Sequence, residues 1–171
     1  MSKKSLLFIL VFALIAFVPV FAQEGGLMKI SSPEFGNNSS IPSKFTCEGQ
    51  DINPTLSIEG VPAQTKTLAL IMDDPDAPMG TWVHWVVFNI PIDDRIEEDS
   101  VPGTPGMNTA KKLEYHGPCP PSGTHRYFFK IYALDCELDL QEGASKGALE
   151  KVMQGHILDK AELIGLYKRG R

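Results

Sequence analysis

The chain has 171 residues, 43% of them hydrophobic and 22% charged, and its 16 basic and 21 acidic side chains give a formal charge of −5 at pH 7. An acidic balance of this kind argues against nucleic acid or an anionic membrane surface as a partner, although local pockets can still be positive. The length suits one domain with a sizeable core and gives no reason to expect a second.

From the N-terminus, Lys3 and Lys4 precede an apolar run from Leu6 to Phe21, the pattern of a secretory signal. At about 16 residues the run is short of the roughly 20 that a spanning helix needs. Val20 and Ala22 are placed for cleavage after Ala22, and no cysteine follows that would take a lipid. The expectation is a periplasmic or secreted protein that loses residues 1–22, makes no stable membrane insertion afterwards, and folds residues 23–171 as a single domain. Without Lys3 and Lys4, 14 basic residues face 21 acidic ones, a charge of about −7.

"GLMKISS" then reads as a short strand, and the Gly/Pro/Asn/Ser-dense segment from Ser32 to Pro54 as loop. Asn37 and Asn38 each head an N-x-S pattern, which matters only in a host that glycosylates. "TLSIEG" and "TKTLALIMD", split by "VPAQ", predict an antiparallel pair joined by a turn. "VHWVVFNIP" is too apolar for a strand with one wet face and is expected at the centre of a sandwich. Pro91 to Gly117 reads as a long acidic surface loop. In "HRYFFKIYALD", Tyr127, Phe129, Ile131 and Ala133 alternate with Arg126, Phe128, Lys130 and Tyr132, the most regular strand pattern in the chain. "ASKGALEKVMQGHI" places Leu149, Val152, Met153 and His156 at helical spacing, and "AELIGLYKR" closes as a strand. With no βαβ rhythm, the fold expected is mainly β: an antiparallel β-sandwich with one or two short helices near the C-terminus.

Three patches carry chemistry: "DDPDAPMGTWVHW" from Asp73, "GPCPPSG" from Gly117, and "HRY" from His125. Each residue also has an ordinary use. Asp74 and Asp76 can cap a proline turn, Trp82 and Tyr127 can be core, His84 can be a buried histidine with a satisfied ring, and Arg126 can pair with Asp73 or Asp76. Glycines and prolines in the second patch suit a stiff loop that backbone or ligand can approach closely.

"DPDAP", "HWVVFNIP", "GPCPPSGTHRYFFKIYALD" and the late "GHILDKAELIGLYKR" together resemble the phosphatidylethanolamine-binding proteins, in the bacterial and archaeal Raf-kinase-inhibitor-like branch. The likeness spans roughly Leu27 to Arg169. It implies a sandwich with a small anion-binding pocket for a phosphoethanolamine-like head group or a small oxyanion. By the resemblance, Asp74, Asp76 and Pro78 form one wall, Trp82 sits at the mouth, His84 lies inside, Pro120 and Pro121 form the second loop, and His125 and Tyr127 complete the set. His84, His125 and Tyr127 would donate to phosphate oxygens, Asp74 would fix an imidazole tautomer, and the carboxylates could receive an amine. Affinity would then rise as pH falls through the histidine range. No cofactor is implied, and a homodimer is the candidate assembly. Relatives of the eukaryotic branch carry a C-terminal helix beside the pocket, whereas only Gly170 and Arg171 follow "LYKR" here, so a more open pocket is expected.

Alternatives are a protease or kinase inhibitor acting through its surface, a weak hydrolase using His84, His125 and Asp74, and a metal site on those same three residues. Ser122 has no G-x-S-x-G setting, which weighs against a serine triad. Of three cysteines, Cys47 and Cys119 are expected to bridge at the pocket end, because the strand pair brings the Cys47 loop towards DPDAP. Cys136 is left as the odd thiol.

Overall fold

The computed structural model describes residues 27–170. The signal segment and its cut after Ala22 lie outside the described residues. Among the described residues the strands are, in chain order, β1 (Lys29–Ser31), β2 (Ser39–Ser40), β3 (Leu56–Glu59), β4 (Thr67–Asp74), β5 (Trp82–Ile90), β6 (Arg95–Ile96), β7 (Thr104–Pro105), β8 (His125–Leu134) and β9 (Ile157–Tyr167), with one α-helix, α1 (Lys146–Met153), before the last. They form a three-stranded sheet in the order β1-β3-β6 and a six-stranded sheet in the order β2-β9-β8-β4-β5-β7. The protein is therefore mainly β. Every pairing is antiparallel except that of β2 with β9, which is parallel over two residues.

The burial of β4 explains the arrangement. Its even-numbered side chains Leu68, Leu70 and Met72 belong to a core shared with Ile30, Leu56 and Ile58 of the small sheet. The intervening Ala69 and Ile71 belong to a second cluster with Leu149 and Met153 of α1. A strand buried on both faces needs an unbroken apolar run and ladder partners on both edges, and β5 and β8 supply them. By contrast, "LSIE" of β3 is buried only at alternate residues, which suits a sheet with one dry face. The expected β3–β4 pair is therefore not formed: the two strands stand in different sheets, and the turn between them crosses from one to the other.

Other expectations shift in similar ways. β5 is buried on both faces but stands next to the sheet edge, where two-residue β7 is its outer neighbour. Pro91 to Gly117 is not simply surface loop. It contributes β6 and β7, buries Ile96, Asn108 and Tyr115, and is sewn down by the Asn108 side chain, which donates to the Glu114 carbonyl and accepts from the Lys112 amide. The helix starts at the Ser145 cap, whose hydroxyl accepts from the Ala148 amide. It stops at Met153, so His156 lies beyond it, after Gly155 at φ +84°.

A disulfide joins Cys47 to Cys119, with Cα atoms 5.5 Å apart. The loop bearing Cys47 reaches this place through contacts of its own rather than through a β3–β4 pair. The Cys47 amide donates to the Pro118 carbonyl (3.2 Å), the Tyr115 hydroxyl to the Phe45 carbonyl (2.8 Å), and the Gly117 amide to Asp51 Oδ1 (2.5 Å). A Cβ on Gly117 would sit 2.6 Å from that same oxygen and 2.7 Å from the Phe45 carbonyl oxygen, so the close approach made by this glycine is to the neighbouring loop. With the cysteines 72 positions apart in sequence, the bridge removes much loop entropy from the unfolded chain. The Cys47→Ser, Cys119→Ser double variant should lose about 4 kcal/mol in urea denaturation. A loss under about 1 kcal/mol would show that the other contacts hold the two loops by themselves.

Candidate functional site

β4 ends and β5 begins at the same edge of the large sheet, where Asp74 lies opposite Trp82. At this edge β8 begins with His125, which faces Tyr167 at the end of β9. The DPDAP turn, the Gly117–Gly123 loop and the start of β8 therefore converge on a cavity of about 430 Å³. Asp74, Pro78, Trp82, His84, Pro120, Pro121, His125 and Tyr127 all line it.

Asp76 does not line it. Its carboxylate forms a two-pronged pair with Arg126, Nε to Oδ2 at 2.9 Å and Nη2 to Oδ1 at 2.7 Å, and Oδ2 also accepts the Arg126 amide at 3.0 Å. These contacts, led by the side-chain bonds from Arg126, hold the Asp76 carboxyl at about 2. Asp74 is buried, and both its oxygens are also engaged: Oδ1 accepts the Asp76 amide at 2.8 Å and Oδ2 accepts from His125 Nδ1 at 2.7 Å. Asp74 still keeps acceptor capacity on the cavity side, whereas the Asp76 carboxylate is turned to Arg126.

His84 is only 3% exposed. Its Nδ1 donates to the His116 carbonyl at 2.5 Å, and a carbonyl can only accept, so the neutral ring has its proton on Nδ1 and a lone pair on Nε2. Burial is the main cause that lowers its pKa from 6.5 to about 4, against the opposing effect of that hydrogen bond. His84 is thus an acceptor at neutral pH, and the expected histidine-driven rise in affinity between pH 7 and 6 cannot come from this ring. The Tyr127 hydroxyl is fully buried; the Cys119 backbone lies beside its oxygen, and its proton has no acceptor in the protein. Burial, with the charges of Asp74 and Asp76 next, raises its pKa far above the ordinary phenol value, so it remains a donor.

His116, which the sequence patterns did not single out, lines the cavity as well. Its ring stacks on His84 with centroids 5.9 Å apart and planes 13° from parallel, while Tyr127 meets His84 edge-on at 5.2 Å. Its only sequence signal was its place immediately before "GPCPP", and the stacking depends on two segments 32 residues apart. Ser122 is not part of the lining, and His84, His125 and Asp74 do not bring three ligand atoms together as a metal site would.

The family model for phosphatidylethanolamine-binding proteins matches residues 31–168. The chain belongs to the phosphatidylethanolamine-binding protein family. Within it, a UPF0098 protein of Methanothermobacter thermautotrophicus is 51% identical over 151 residues, covering 84% of this chain and 100% of the relative. The crystal structure of a phosphatidylethanolamine-binding protein homologue from Chlamydia trachomatis is 40% identical and superposes with a TM-score of 0.82, covering 84% of this chain and 99% of that one. YbcL of Escherichia coli, described as a member of the mammalian family, is 26% identical with a TM-score of 0.78, covering 85% and 100%.

The His84 ring sets a stability window for this family member. Its folded pKa lies below its unfolded value, so the unfolded chain binds the extra proton. The native state keeps its full advantage above about pH 6.5 and loses it as pH falls towards about 4, a loss on the order of 3 kcal/mol. Asp76 titrates lower, between its unfolded 3.8 and about 2, so the two steps are separable. Urea denaturation at half-unit steps from pH 7 to 4 should show the first, and His84→Asn should flatten it. An unchanged slope in that variant would assign the step elsewhere.

Proposed function

We propose that the cavity holds the singly protonated phosphate of a phosphomonoester such as O-phosphoethanolamine or the equivalent lipid head group, and that the chain is an exported, non-catalytic binding protein with its two sheets stacked as a sandwich behind the pocket. The observation that carries this reading is the buried Tyr127 hydroxyl, whose proton has no acceptor in the protein. A buried donor left unpaired costs about 1 to 3 kcal/mol, and an oxyanion in the cavity would satisfy it. His84 Nε2, the ring nitrogen its tautomer leaves unprotonated, suits the P–O–H of a hydrogen phosphate. His125, oriented through Nδ1 by Asp74, offers its other nitrogen to a further oxygen. Mixed donors and acceptors of this kind fit a phosphate that keeps one proton better than an anion with none. The apolar run before residue 22 and the Cys47–Cys119 bridge support a location outside the cytoplasm.

Calorimetric titration with O-phosphoethanolamine should show affinity falling as pH rises past the ligand's second pKa of about 6. Methyl sulfate, with the charge of the monoanion but no O–H, should bind weakly throughout. Tyr127→Phe should weaken phosphate binding about tenfold while leaving the fold as stable or more so, since it deletes an orphaned hydroxyl. Equal affinity for the sulfate, or undiminished phosphate binding in Tyr127→Phe, would overturn the assignment.

A further inference from the structure

Of the four histidines in the chain, three line the cavity and the fourth, His156, lies elsewhere. It stands at the far end of β8 from the pocket, roughly 30 Å along a strand of this length. There Asp135, Cys136 and His156 each offer a ligand atom, and these atoms all lie within 4.8 Å of one another. The backbone holding them is fixed by contacts that need no metal. The Asp135 amide donates to the His156 carbonyl at 3.0 Å and the His156 amide to the Met153 carbonyl at 3.0 Å, while Thr67 Oγ1 donates to the Cys136 carbonyl at 2.8 Å. The imidazole already touches its neighbour, Nδ1 to Asp135 Oδ1 at 2.8 Å. Asp135 and His156 are exposed and Cys136 half-buried, so an ion can enter and keep a water.

We propose that Asp135, Cys136 and His156 bind a borderline-soft divalent cation of the zinc type in a three-ligand site open to one further ligand. A sulfur, nitrogen and oxygen set selects late first-row ions over magnesium or calcium, which take oxygen ligands. As an exposed ion pair, His156 and Asp135 would contribute little to stability, and the Asp135 carboxylate also takes a hydrogen bond from the Cys136 thiol, so the three side chains already meet at one point. On loading, the Cys136 S–H bond breaks, a sulfur–metal bond forms, and the proton passes to solvent. The site is independent of the phosphate pocket and stands or falls separately from it.

Cobalt(II) is the probe. With Cys47 and Cys119 bridged, Cys136 is the sole free thiol among three cysteines, so a thiolate-to-cobalt charge-transfer band can arise nowhere else in the molecule. Chelator-washed full-length protein, handled anaerobically without reductant, should develop that band to saturation at one equivalent and lose it on addition of zinc. Cys136→Ser should abolish it, and His156→Ala should raise the apparent dissociation constant at least tenfold, with circular dichroism confirming the fold of both. No charge-transfer band in a protein with its thiol intact, an undiminished affinity in His156→Ala, or loss of the band in His125→Ala instead would overturn the proposal.

Discussion

Asp74 is a buried carboxylate with both oxygens occupied, one by the Asp76 amide and one by the His125 ring, and the pocket end is arranged around that charge. Uncompensated, it would be too costly to bury. Its two bonds shape the DPDAP turn and dock the start of β8 against the end of β4. The pleat then divides the neighbouring carboxylates between different tasks. Asp73, one residue earlier and on the opposite face, is 1% exposed and paired with Lys130 at 2.8 Å and with Lys146 in the first turn of α1. Asp76, within the turn, grips Arg126. Thus three carboxylates close together in sequence secure the helix layer, the cup and the outer rim, and only the middle one faces the cavity.

The histidines show how environment separates identical side chains. His84 is kept neutral by burial, with its ring proton held on Nδ1 by a carbonyl, whereas His125 is oriented by a carboxylate. His156 sits in water beside an acid and a thiol. A motif that says only "histidine" cannot distinguish an acceptor from a donor or from a ligand. That information lies in the atom opposite Nδ1, which in each case comes from a segment distant in the chain.

Much of this was readable beforehand because it is local. The alternation in β8 matches its burial residue by residue, since period two and a half-buried sheet face produce it directly. Ser145 and Gly155 bracket the helix as their chemistry requires, although the apolar period alone carried the expectation on to His156. The patches that resembled the family also meet in space. What escaped was non-local: the separation of β3 from β4 depends on which strand must be dry on both faces, and the role of His116 on a loop lying across His84. Asp76 looked like pocket because its motif is, yet the guanidinium of Arg126, the residue next to His125, occupies it.

The central seam of the large sheet joins β4 to β8, where Thr67 faces Leu134 and Asp73 faces Phe128, partners roughly 60 residues apart. Pairings that distant form late and slowly, because loop entropy is spent before any contact repays it. His84 arrives on the near side of that seam, while His125 and Tyr127 arrive on the far side. No partially zipped chain can therefore bring His84 to face His125 and Tyr127: the cavity wall is complete only once β4 and β8 are in register.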